Sequence, residues 1–425
     1  METYGKILII AMPLFLLLVV FEKWYGWRKG FDTVRTLDMV SSLSSGVTNS
    51  TKDVLGLSIA IITYGWLVNH LAITHIQASW LVYVIAFLAL DFAGYWTHRL
   101  AHTINFFWNN HIVHHSSEEF NLACALRQSI SVFVRIYAVL LIPAALLGVP
   151  EKVIAVVGPL HLFAQFWYHT RHINRMGFLE YIIVTPAHHR VHHAINPEYL
   201  DKNYGQIFIF WDRMFGTFQE EQASIPAVYG VTRPVRTWNP IKINFMHMWL
   251  LIKDAWRTKN WKDKFRIWFM PLGWRPADVI EKYPVYKIED VYHFEKYDTP
   301  ASKGLQAYLW AQLICVLLLV SYMFANVAML KQLGIEQLFI YGAFIFLQVY
   351  ALTEFMDQTK YAWVLEAIKN ITCISLIVKN GEWFGSNAIS TTIAPVLIAY
   401  FAISTVAVYL FSKNAQQNNS QVSLA

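Results

Sequence analysis

Eight histidines in three tightly spaced groups are the residues of this sequence best able to do chemistry. The groups are His98 with His102, then His111 with His114 and His115, and then His189 with His192 and His193. Positions three or four apart lie on one face of a helix, so each group points its imidazoles in one direction. Imidazole is the commonest metal ligand in proteins, and eight imidazoles are too many for one ion. The spacing therefore predicts a dinuclear, histidine-rich metal site.

The spacing leaves the identity of the metal open. Nitrogen ligands suit zinc, copper and iron alike, although the chain offers no cysteine and methionine set of the kind that selects copper. Four imidazoles could close a tetrahedral, redox-silent zinc site in a non-catalytic scaffold. Two irons with about four histidines each would retain open positions for oxygen. A metal transporter is a further alternative, but its ligands would follow a path through the bilayer instead of clustering at one face.

The rest of the chain is apolar enough to hold this site in a membrane. Hydrophobic residues make up 56% of the sequence and charged residues only 15%, against about a quarter charged in soluble domains. A helix needs roughly 20 apolar residues to cross a bilayer. Apolar runs cover 7–21, 55–73, 79–96, 132–149, 153–169, 305–325, 333–352 and 391–411, with a weaker one at 362–378. We therefore expect an all-α, multi-pass transmembrane bundle with about eight or nine apolar segments, some of them re-entrant.

Basic residues orient the predicted bundle. The loop at 22–54 contains five of them, which places this loop in the cytoplasm under the positive-inside rule. Counting segments from there brings all three histidine groups to the cytoplasmic face. The long polar stretch 170–304 then forms a cytoplasmic helical cap. Within it, Met246–Phe269 mixes aromatic and basic residues, as interfacial amphipathic helices do.

These segments suggest a division of the chain into four units. They are membrane anchor segments at 1–78, a histidine-rich metal domain at 79–220, a cytoplasmic or interfacial cap at 221–304 and a C-terminal membrane module at 305–425. The net charge of +6 does not indicate nucleic-acid binding, because the basic residues flank membrane segments, where they meet anionic lipid. The three cysteines have no metal-binding spacing and are expected to be buried free thiols.

Further strings around the histidines resemble one family. Between Asp91 and Phe218 the sequence reads YWTHR at 95–99, HHSSEEFN at 114–121, ALRQS at 125–129, TPAHHRVHH at 185–193, DKNYG at 201–205 and WDRMFGTF at 211–218. These strings resemble the histidine boxes of the fatty acid hydroxylase superfamily of membrane diiron enzymes, which includes sterol desaturases. Within it they are most similar to the alkylglycerol monooxygenase branch and its bacterial relatives.

The resemblance implies roles for individual residues. It implies that the eight histidines hold two irons and that His169 is a possible ninth ligand. Metal-bound imidazoles usually donate their other N–H to a carboxylate or carbonyl. The candidates for this supporting role are Asp91, Glu118, Glu119, Asn121, His188 and Asp212. Arg127 and Gln128 are candidates for contacting the head group of a lipid substrate, or for reaching the interface as snorkelling side chains.

The resemblance also implies a reaction. The implied enzyme is a membrane-bound diiron monooxygenase that uses O2 to hydroxylate the ether-linked carbon of an alkylglycerol, giving fatty aldehyde and glycerol. Tetrahydrobiopterin or another electron donor would supply the electrons. A sterol, hopanoid or fatty acyl hydroxylase or desaturase is the alternative enzyme. The expected partners are the bilayer, a membrane lipid as substrate and the electron donor, and a bacterial inner membrane is favoured over the endoplasmic reticulum.

Overall fold

The computed structural model describes residues 2–77 and 79–422, with side chains described for 5–77 and 79–413. The chain is mostly helical. The helices are α1 (Glu2–Lys29), α2 (Thr36–Val54), α3 (Tyr64–Leu71), α4 (Trp80–Thr103), α5 (Asn105–Trp108), α6 (Ile112–His115), α7 (Ile142–Leu146), α8 (Glu151–Phe163), α9 (Pro186–His192), α10 (Phe210–Phe215), α11 (Pro240–Arg257), α12 (Trp261–Arg266), α13 (Ala277–Lys282), α14 (Lys303–Ala325), α15 (Val327–Leu333), α16 (Ile335–Met356), α17 (Ala362–Asn380) and α18 (Ile393–Val422). Two-residue strands β1 (Ile59–Ala60) and β2 (Val134–Arg135) pair in parallel, and short 3-10 turns cover Cys124–Leu126, Tyr137–Leu141, Gly177–Tyr181 and Ser386–Ala388.

Five helices of the described chain are long and apolar enough to cross a membrane. They are α1 from Gly5, α4, α14, α16 and α18 as far as Lys413. The predicted all-helical membrane protein is therefore confirmed in outline, but a count of eight or nine spanning segments is not.

Three of the predicted apolar segments are broken into short elements. Segment 55–73 contains β1 and the eight-residue α3, and 132–149 contains β2, a 3-10 turn and the five-residue α7. Segment 153–169 is helical only until Phe163, with Pro159 inside α8. Proline removes a helical hydrogen bond and its ring clashes with the preceding turn, so apolar composition alone does not make a continuous helix.

One hydrophobic core joins the two ends of the chain. Buried residues from 19 to 55 and from 309 to 408 belong to the same cluster. A second cluster packs the first half of α4 against α3, α7 and α8. The predicted N-terminal anchor and C-terminal module thus share a core, and the boundaries drawn between the four units stay a prediction.

Helix α2 lies inside the protein although its sequence is polar. Fifteen of its 19 residues are buried, and it contacts α14 and α16 on one side and the 3-10 turn at Cys124–Leu126 on the other. Five of its buried hydroxyls bond to backbone carbonyls or side chains, for example Ser41 Oγ to the carbonyl of Trp238 at 2.6 Å, whereas those of Ser44 and Thr51 have no partner. Pairing of most buried hydroxyls is what allows a polar helix to occupy the interior.

Residues 170–304 are less regular than the membrane helices. They contain α9 to α13 linked by long loops. The longest element, α11, begins at the N-cap Asn239, whose side chain accepts hydrogen bonds from the backbone of Ile241 and Lys242. Placement of this part on the cytoplasmic side stays a prediction.

Candidate metal centre

The three histidine groups are presented by one long helix and two short ones. His98 and His102 lie one turn apart near the C-terminal end of α4. His114 and His115 lie on α6, and His111 is the N-cap residue of this helix. His189 and His192 lie on α9, which begins with Pro186 and ends at the cap residue His193. Proline suits the first position of a helix, so it fixes where this short element starts.

Five histidines converge on one point. They are His98, His102, His111, His115 and His192, and one ring nitrogen of each lies within 4.8 Å of the others. His98 Nε2 is 3.0 Å from His111 Nε2. His115 Nε2 lies 3.1 Å from His102 Nε2, 3.0 Å from His111 Nε2 and 3.1 Å from His192 Nε2.

A second group of four lies beside the first. It contains His114, His169, His189 and His193. His189 Nε2 is 2.9 Å from His169 Nε2 and 3.0 Å from His193 Nε2, and His169 Nε2 is 3.4 Å from His114 Nε2. The sequence motifs do not separate the groups in this way, because each of the last two motifs contributes to both.

Hydrogen bonding between imidazoles does not account for this packing. One Nε2 atom has either one proton or one lone pair, so it forms one good hydrogen bond. His115 Nε2 nevertheless has three other Nε2 atoms within 3.1 Å. Shared coordination of a cation at the centre explains all these short distances together, so the residues fit a metal ion in each group.

The short distances agree with the size of a shared metal ion. Six Nε2 pairs lie 2.9–3.1 Å apart, and the pair His169–His114 lies 3.4 Å apart. Metal–nitrogen bonds of about 2.1 Å place neighbouring donors roughly 3.0–3.4 Å apart. The two groups would therefore each accommodate one ion with imidazole nitrogens as ligands.

Burial keeps the imidazoles outside the membrane helices neutral. Desolvation lowers the pKa of His114 to about 3 and holds the pKa of His115, His189 and His193 well below its usual range. Nearby imidazoles strengthen this effect for the last three. A neutral imidazole has the free lone pair that metal coordination requires.

The second ring nitrogen of three of these histidines faces a backbone carbonyl. His98 Nδ1 lies 2.9 Å from the carbonyl oxygen of Tyr204, and His192 Nδ1 lies 3.0 Å from that of Lys202. His169 Nδ1 lies 3.1 Å from the carbonyl of Gln165. Donation to a carbonyl fixes the tautomer and leaves Nε2 free to bind metal.

Asp212 supports this arrangement from one step away. Its carboxylate accepts hydrogen bonds from the backbone N–H groups of Tyr204 and Gly205, both at 2.7 Å, and from Thr217 Oγ1 at 2.6 Å. It thereby holds the loop whose carbonyl faces His98. Asp212 also lies in α10, which ends at the left-handed Gly216. The same side chain therefore stabilises this turn and holds the loop that contacts His98.

Two other predicted supporting residues contact groups outside the nine histidines. Asp91 accepts hydrogen bonds from the backbone of Ile207 and Phe208, from the Trp211 indole, and lies 2.8 Å from His161 Nε2. His188 forms a capping box at the start of α9, where its Nδ1 accepts from the backbone N–H of Thr185 at 3.3 Å.

The three remaining predicted residues organise the loop after the second motif. Glu118 accepts a hydrogen bond from the backbone N–H of Tyr297 at 2.6 Å. Glu119 lies 2.9 Å from Lys296 Nζ. Asn121 donates to the carbonyl of Thr33 at 2.8 Å. These contacts fix the loop to distant parts of the chain.

Arg127 is buried and forms an ion pair, and its side chain also lines a cavity. Its guanidinium donates to Asp38 at 2.8 Å and to the hydroxyls of Ser42 and Ser116, both at 2.9 Å. The side chain is therefore held in place instead of extending towards an interface. Gln128, in contrast, is exposed and donates to the carbonyl of Ala125 at 3.1 Å.

A cavity of about 590 Å³ connects the two histidine groups with the surface. Histidines of both groups line it, namely His98, His111, His114, His169 and His189. Its lining includes the apolar side chains of Phe15, Pro159, Leu162, Phe163 and Phe166. It also includes the polar side chains of Asn49, Ser50, Lys52, Asp53, Arg127, Gln128, Ser129 and Arg135.

Sequence reasoning missed two buried carboxylates that position the motifs. Asp38 accepts from Ser117 Oγ at 2.8 Å as well as from Arg127. Glu22 on α1 accepts from Thr170 Oγ1 and from the backbone N–H of Leu122, both at 2.6 Å. Both carboxylates lie far from the motifs in sequence. The one available signal was the occurrence of an acidic residue in an otherwise apolar or hydroxyl-rich helix.

Comparison with known proteins gives consistent matches. Residues 83–217 match the fatty acid hydroxylase family model. The chain is 34% identical to alkylglycerol monooxygenase of Homo sapiens over 375 residues, which cover 86% of this chain and 81% of the relative. It is 34% identical to that of Xenopus tropicalis over 364 residues, covering 84% and 79%. An ornithine lipid hydroxylase of Rhizobium tropici is 31% identical over 153 residues, covering 36% of this chain and 46% of the relative. No solved structure matches the chain.

Proposed function

This chain belongs to the alkylglycerol monooxygenase family, and we propose that it is a membrane-bound diiron monooxygenase that hydroxylates the ether-linked carbon of alkylglycerols. The proposal rests on relatives of that name that align over most of both chains. The observation that carries the chemistry is the convergence of nine histidines, seven of them buried, in two adjacent groups beside one cavity.

The five-histidine and four-histidine groups would each hold one iron. Bound iron, together with O2 and two electrons, supplies the oxidising power needed to replace a hydrogen of an unactivated C–H bond by a hydroxyl. One oxygen atom enters the substrate and the other leaves as water with two protons. Hydroxylation next to the ether oxygen gives a hemiacetal, which splits into fatty aldehyde and glycerol. Tetrahydrobiopterin is the electron donor proposed here, in line with the family.

The shape of the cavity suits a substrate with one polar and one apolar end. Phe163 and Phe166 would contact an alkyl chain, and Lys52, Ser129 and Arg135 would provide partners for a glycerol head group. A substrate that uses both kinds of contact would bring the junction of head and chain near the histidines that line the same cavity. Orientation of this kind is how a site selects one C–H bond among many similar ones.

Protein groups also determine where protons reside. The backbone carbonyls of Tyr204 and Lys202 accept hydrogen bonds from the Nδ1–H groups of His98 and His192. These imidazoles are then neutral, and the lone pair on Nε2 is free to bind metal. Burial of the other imidazoles opposes their protonation. The ligand set thus retains its charge while the substrate is oxidised.

A second function deserves a test because of one comparison. The ornithine lipid hydroxylase aligns over a stretch that is 36% of this chain, so hydroxylation of an acyl lipid is the alternative, together with a sterol or hopanoid hydroxylase or desaturase. Metal storage or transport is not favoured, because the nine histidines form two compact groups and no path. The proposed partners are a membrane lipid, the bilayer and the electron donor.

We propose that the histidine groups face the cytoplasm, in a bacterial inner membrane in preference to the endoplasmic reticulum. The groups lie at the C-terminal end of α4, which contains His98 and His102, and Glu22 near the end of α1 bonds to Thr170 and Leu122 beside the motifs. A Glu118→Cys variant should react with a membrane-impermeant thiol reagent from the cytoplasmic side. Reaction from the opposite side alone would reverse the proposed orientation.

The deciding experiment measures metal content and turnover in one preparation. Purified, iron-replete protein should contain about two irons per chain and should release fatty aldehyde from an alkylglycerol only when O2 and tetrahydrobiopterin are present. Two irons without aldehyde, but with hydroxylation of an acyl lipid or sterol, would replace the proposed substrate. Zinc in place of iron after growth with excess iron would contradict the oxygenase proposal as a whole.

A further inference from the structure

A strongly basic cleft lies in the part of the chain between the histidine domain and the C-terminal helices. Its volume is about 540 Å³, and it is formed by α11, α13 and the segments next to Arg233 and Arg275. Five positively charged side chains line it, and among the described lining residues there is no acidic one: Arg233, Lys253, Arg257, Arg275 and Lys282. None of the residues discussed for the metal centre belongs to this cleft.

One carboxylate partly balances the charge. Asp254, buried behind the cleft wall, binds Arg275 through both oxygens, at 2.5 and 3.0 Å. Arg275 is thereby fixed in place. Arg257 is held over the ring of Tyr283 at 3.9 Å from its centroid. Arg257 and Arg275 are therefore positioned by the fold.

Arg233 is the residue that most clearly lacks a counter-charge. In the described part of the chain its guanidinium has neither a hydrogen-bond nor an ion-pair partner. Burial, and then the neighbouring Arg275, lower the pKa of Arg233, and the more distant Asp254 offsets this only in part. A half-buried guanidinium without a directly bonded anion destabilises the fold, since buried charges are normally paired. An anionic group in the cleft would remove this penalty.

The helices next to the cleft present aromatic side chains to the outside. Trp249, Ile252 and Trp256 lie at spacings of three and four along α11, and Trp256 is 86% exposed. Trp261 and Phe265 continue this row on α12, where they are 71% and 69% exposed. Exposed tryptophans beside lysine and arginine are typical of protein surfaces that lie in the membrane interface.

The same segment is attached to the end of a membrane helix. Backbone hydrogen bonds join Leu272 to Thr103, the last residue of α4, at 2.9 Å, and Asn105 to Met270 at 3.1 Å. Because α4 is one of the helices able to cross the bilayer, its end marks the depth of the interface. The cleft is thus held close to the head groups of membrane lipids.

We propose that this cleft binds the phosphate of an anionic phospholipid of the surrounding bilayer, with the aromatic row of α11 and α12 lying in the interface beside it. Arginine and lysine suit phosphate through charge-assisted hydrogen bonds. A lipid accounts for both the basic cleft and the aromatic row, whereas a soluble phosphate accounts only for the first. The proposal does not depend on the substrate of the metal centre.

The test counts lipids bound to the full-length protein in detergent, by native mass spectrometry, during titration with phosphatidylglycerol or phosphatidylcholine. Wild-type protein should bind phosphatidylglycerol more tightly than phosphatidylcholine. In the double variant Lys253→Gln, Lys282→Gln the affinity should fall about fivefold for each charge removed. The control Lys360→Gln, Lys379→Gln removes two exposed lysines outside the cleft and should bind as wild type does. Equal binding by both double variants would overturn the proposal.

A stability measurement separates the lipid from a soluble anion. Arg233→Gln should raise the thermal stability of delipidated protein, because it removes an unpaired charge, and should abolish the extra stability that phosphatidylglycerol gives to wild type. Inorganic phosphate should give wild type no comparable stabilisation. If phosphate alone stabilises wild type as much as the lipid does, the cleft is a site for soluble anions and the lipid assignment is wrong.

Discussion

At the scale of single residues, the five-to-four division of the nine histidines makes the two groups experimentally separable. His192 belongs to the first and His114 to the second. His192→Ala and His114→Ala should each lower the iron content from about two towards one and reduce turnover by more than about a hundredfold. Even the removal of a residue that only hydrogen-bonds to a metal ligand typically lowers metal affinity or activity about 10–100-fold. Metal analysis and aldehyde release measure both effects.

The control for these variants lies beside them in sequence. His188 is buried next to His189 but belongs to the capping box of α9, so His188→Gln should retain both irons. His169→Ala should instead behave like the two ligand variants, although His169 lies outside the three motifs. Retention of full iron and activity by His169→Ala would remove it from the proposed ligand set.

Asp212 is predicted to act through the loop that it holds. Asp212→Asn should reduce kcat about tenfold or more while leaving the iron content unchanged. The reason is that an amide has only one oxygen, whereas the carboxylate accepts from two backbone N–H groups and one hydroxyl. Steady-state kinetics together with metal analysis test this. Unchanged kinetics would leave Asp212 only its role in the turn at α10.

At the scale of elements, local periodicity determined what sequence could predict. The three motifs were recognised because ligands at spacings of three and four share a helix face. His169 was reached only through resemblance to a family, because it is isolated in sequence. The acceptors for His98 and His192 are the backbone carbonyls of Tyr204 and Lys202, which have no sequence signature. The resemblance itself is confirmed by the relatives.

The apolar segments show the opposite error. Composition predicted membrane crossing at 132–149, where β2, a 3-10 turn and α7 follow one another. Apolar residues are needed there for packing around α4, and this requirement produces the same composition as contact with lipid. Polar α2, in turn, falls within the loop that the sequence predicts at 22–54, because its burial depends on hydroxyl and ion-pair partners more than 70 residues away.

A buried ion pair between Asp38 and Arg127 joins α2 to the segment that follows the second motif. Asp38 and Arg127 are only 3% and 2% exposed. Asp38→Asn should lower the free energy of unfolding by about 3–5 kcal/mol, because it leaves an uncompensated buried charge. Thermal unfolding of the detergent-solubilised protein measures the loss. Glu220→Gln, which breaks the exposed pair between Glu220 and Arg175, is the matched control and should cost about 1 kcal/mol or less. Equal losses in the two variants would contradict the structural role given to Asp38.

At the scale of the whole molecule, the C-terminal helices are part of the scaffold of the metal centre. Helices α14 and α16 pack directly on α2, and α2 in turn holds Arg127 and Ser117 next to the second motif. An unbroken series of contacts therefore connects the C-terminal helices with the segment that holds the second motif. The residues after 304, to which the sequence alone assigns no role, therefore support the metal centre through α2.

A buried charge pair allows that continuity to be tested. Lys369 binds Glu366 at 2.9 Å within α17, and the two are only 1% and 5% exposed; Gln348 on α16 is a further partner of Lys369. Lys369→Met should destabilise the protein by about 3–5 kcal/mol, and the double variant Glu366→Gln, Lys369→Met should recover much of this loss, because no charge is left unpaired. If the C-terminal helices and the metal centre form one cooperative unit, iron release should shift to lower temperature together with the unfolding of Lys369→Met. Iron retention above the temperature at which this variant unfolds would show that the C-terminal helices are a separate module, and that α1 and α2 suffice to hold the histidines.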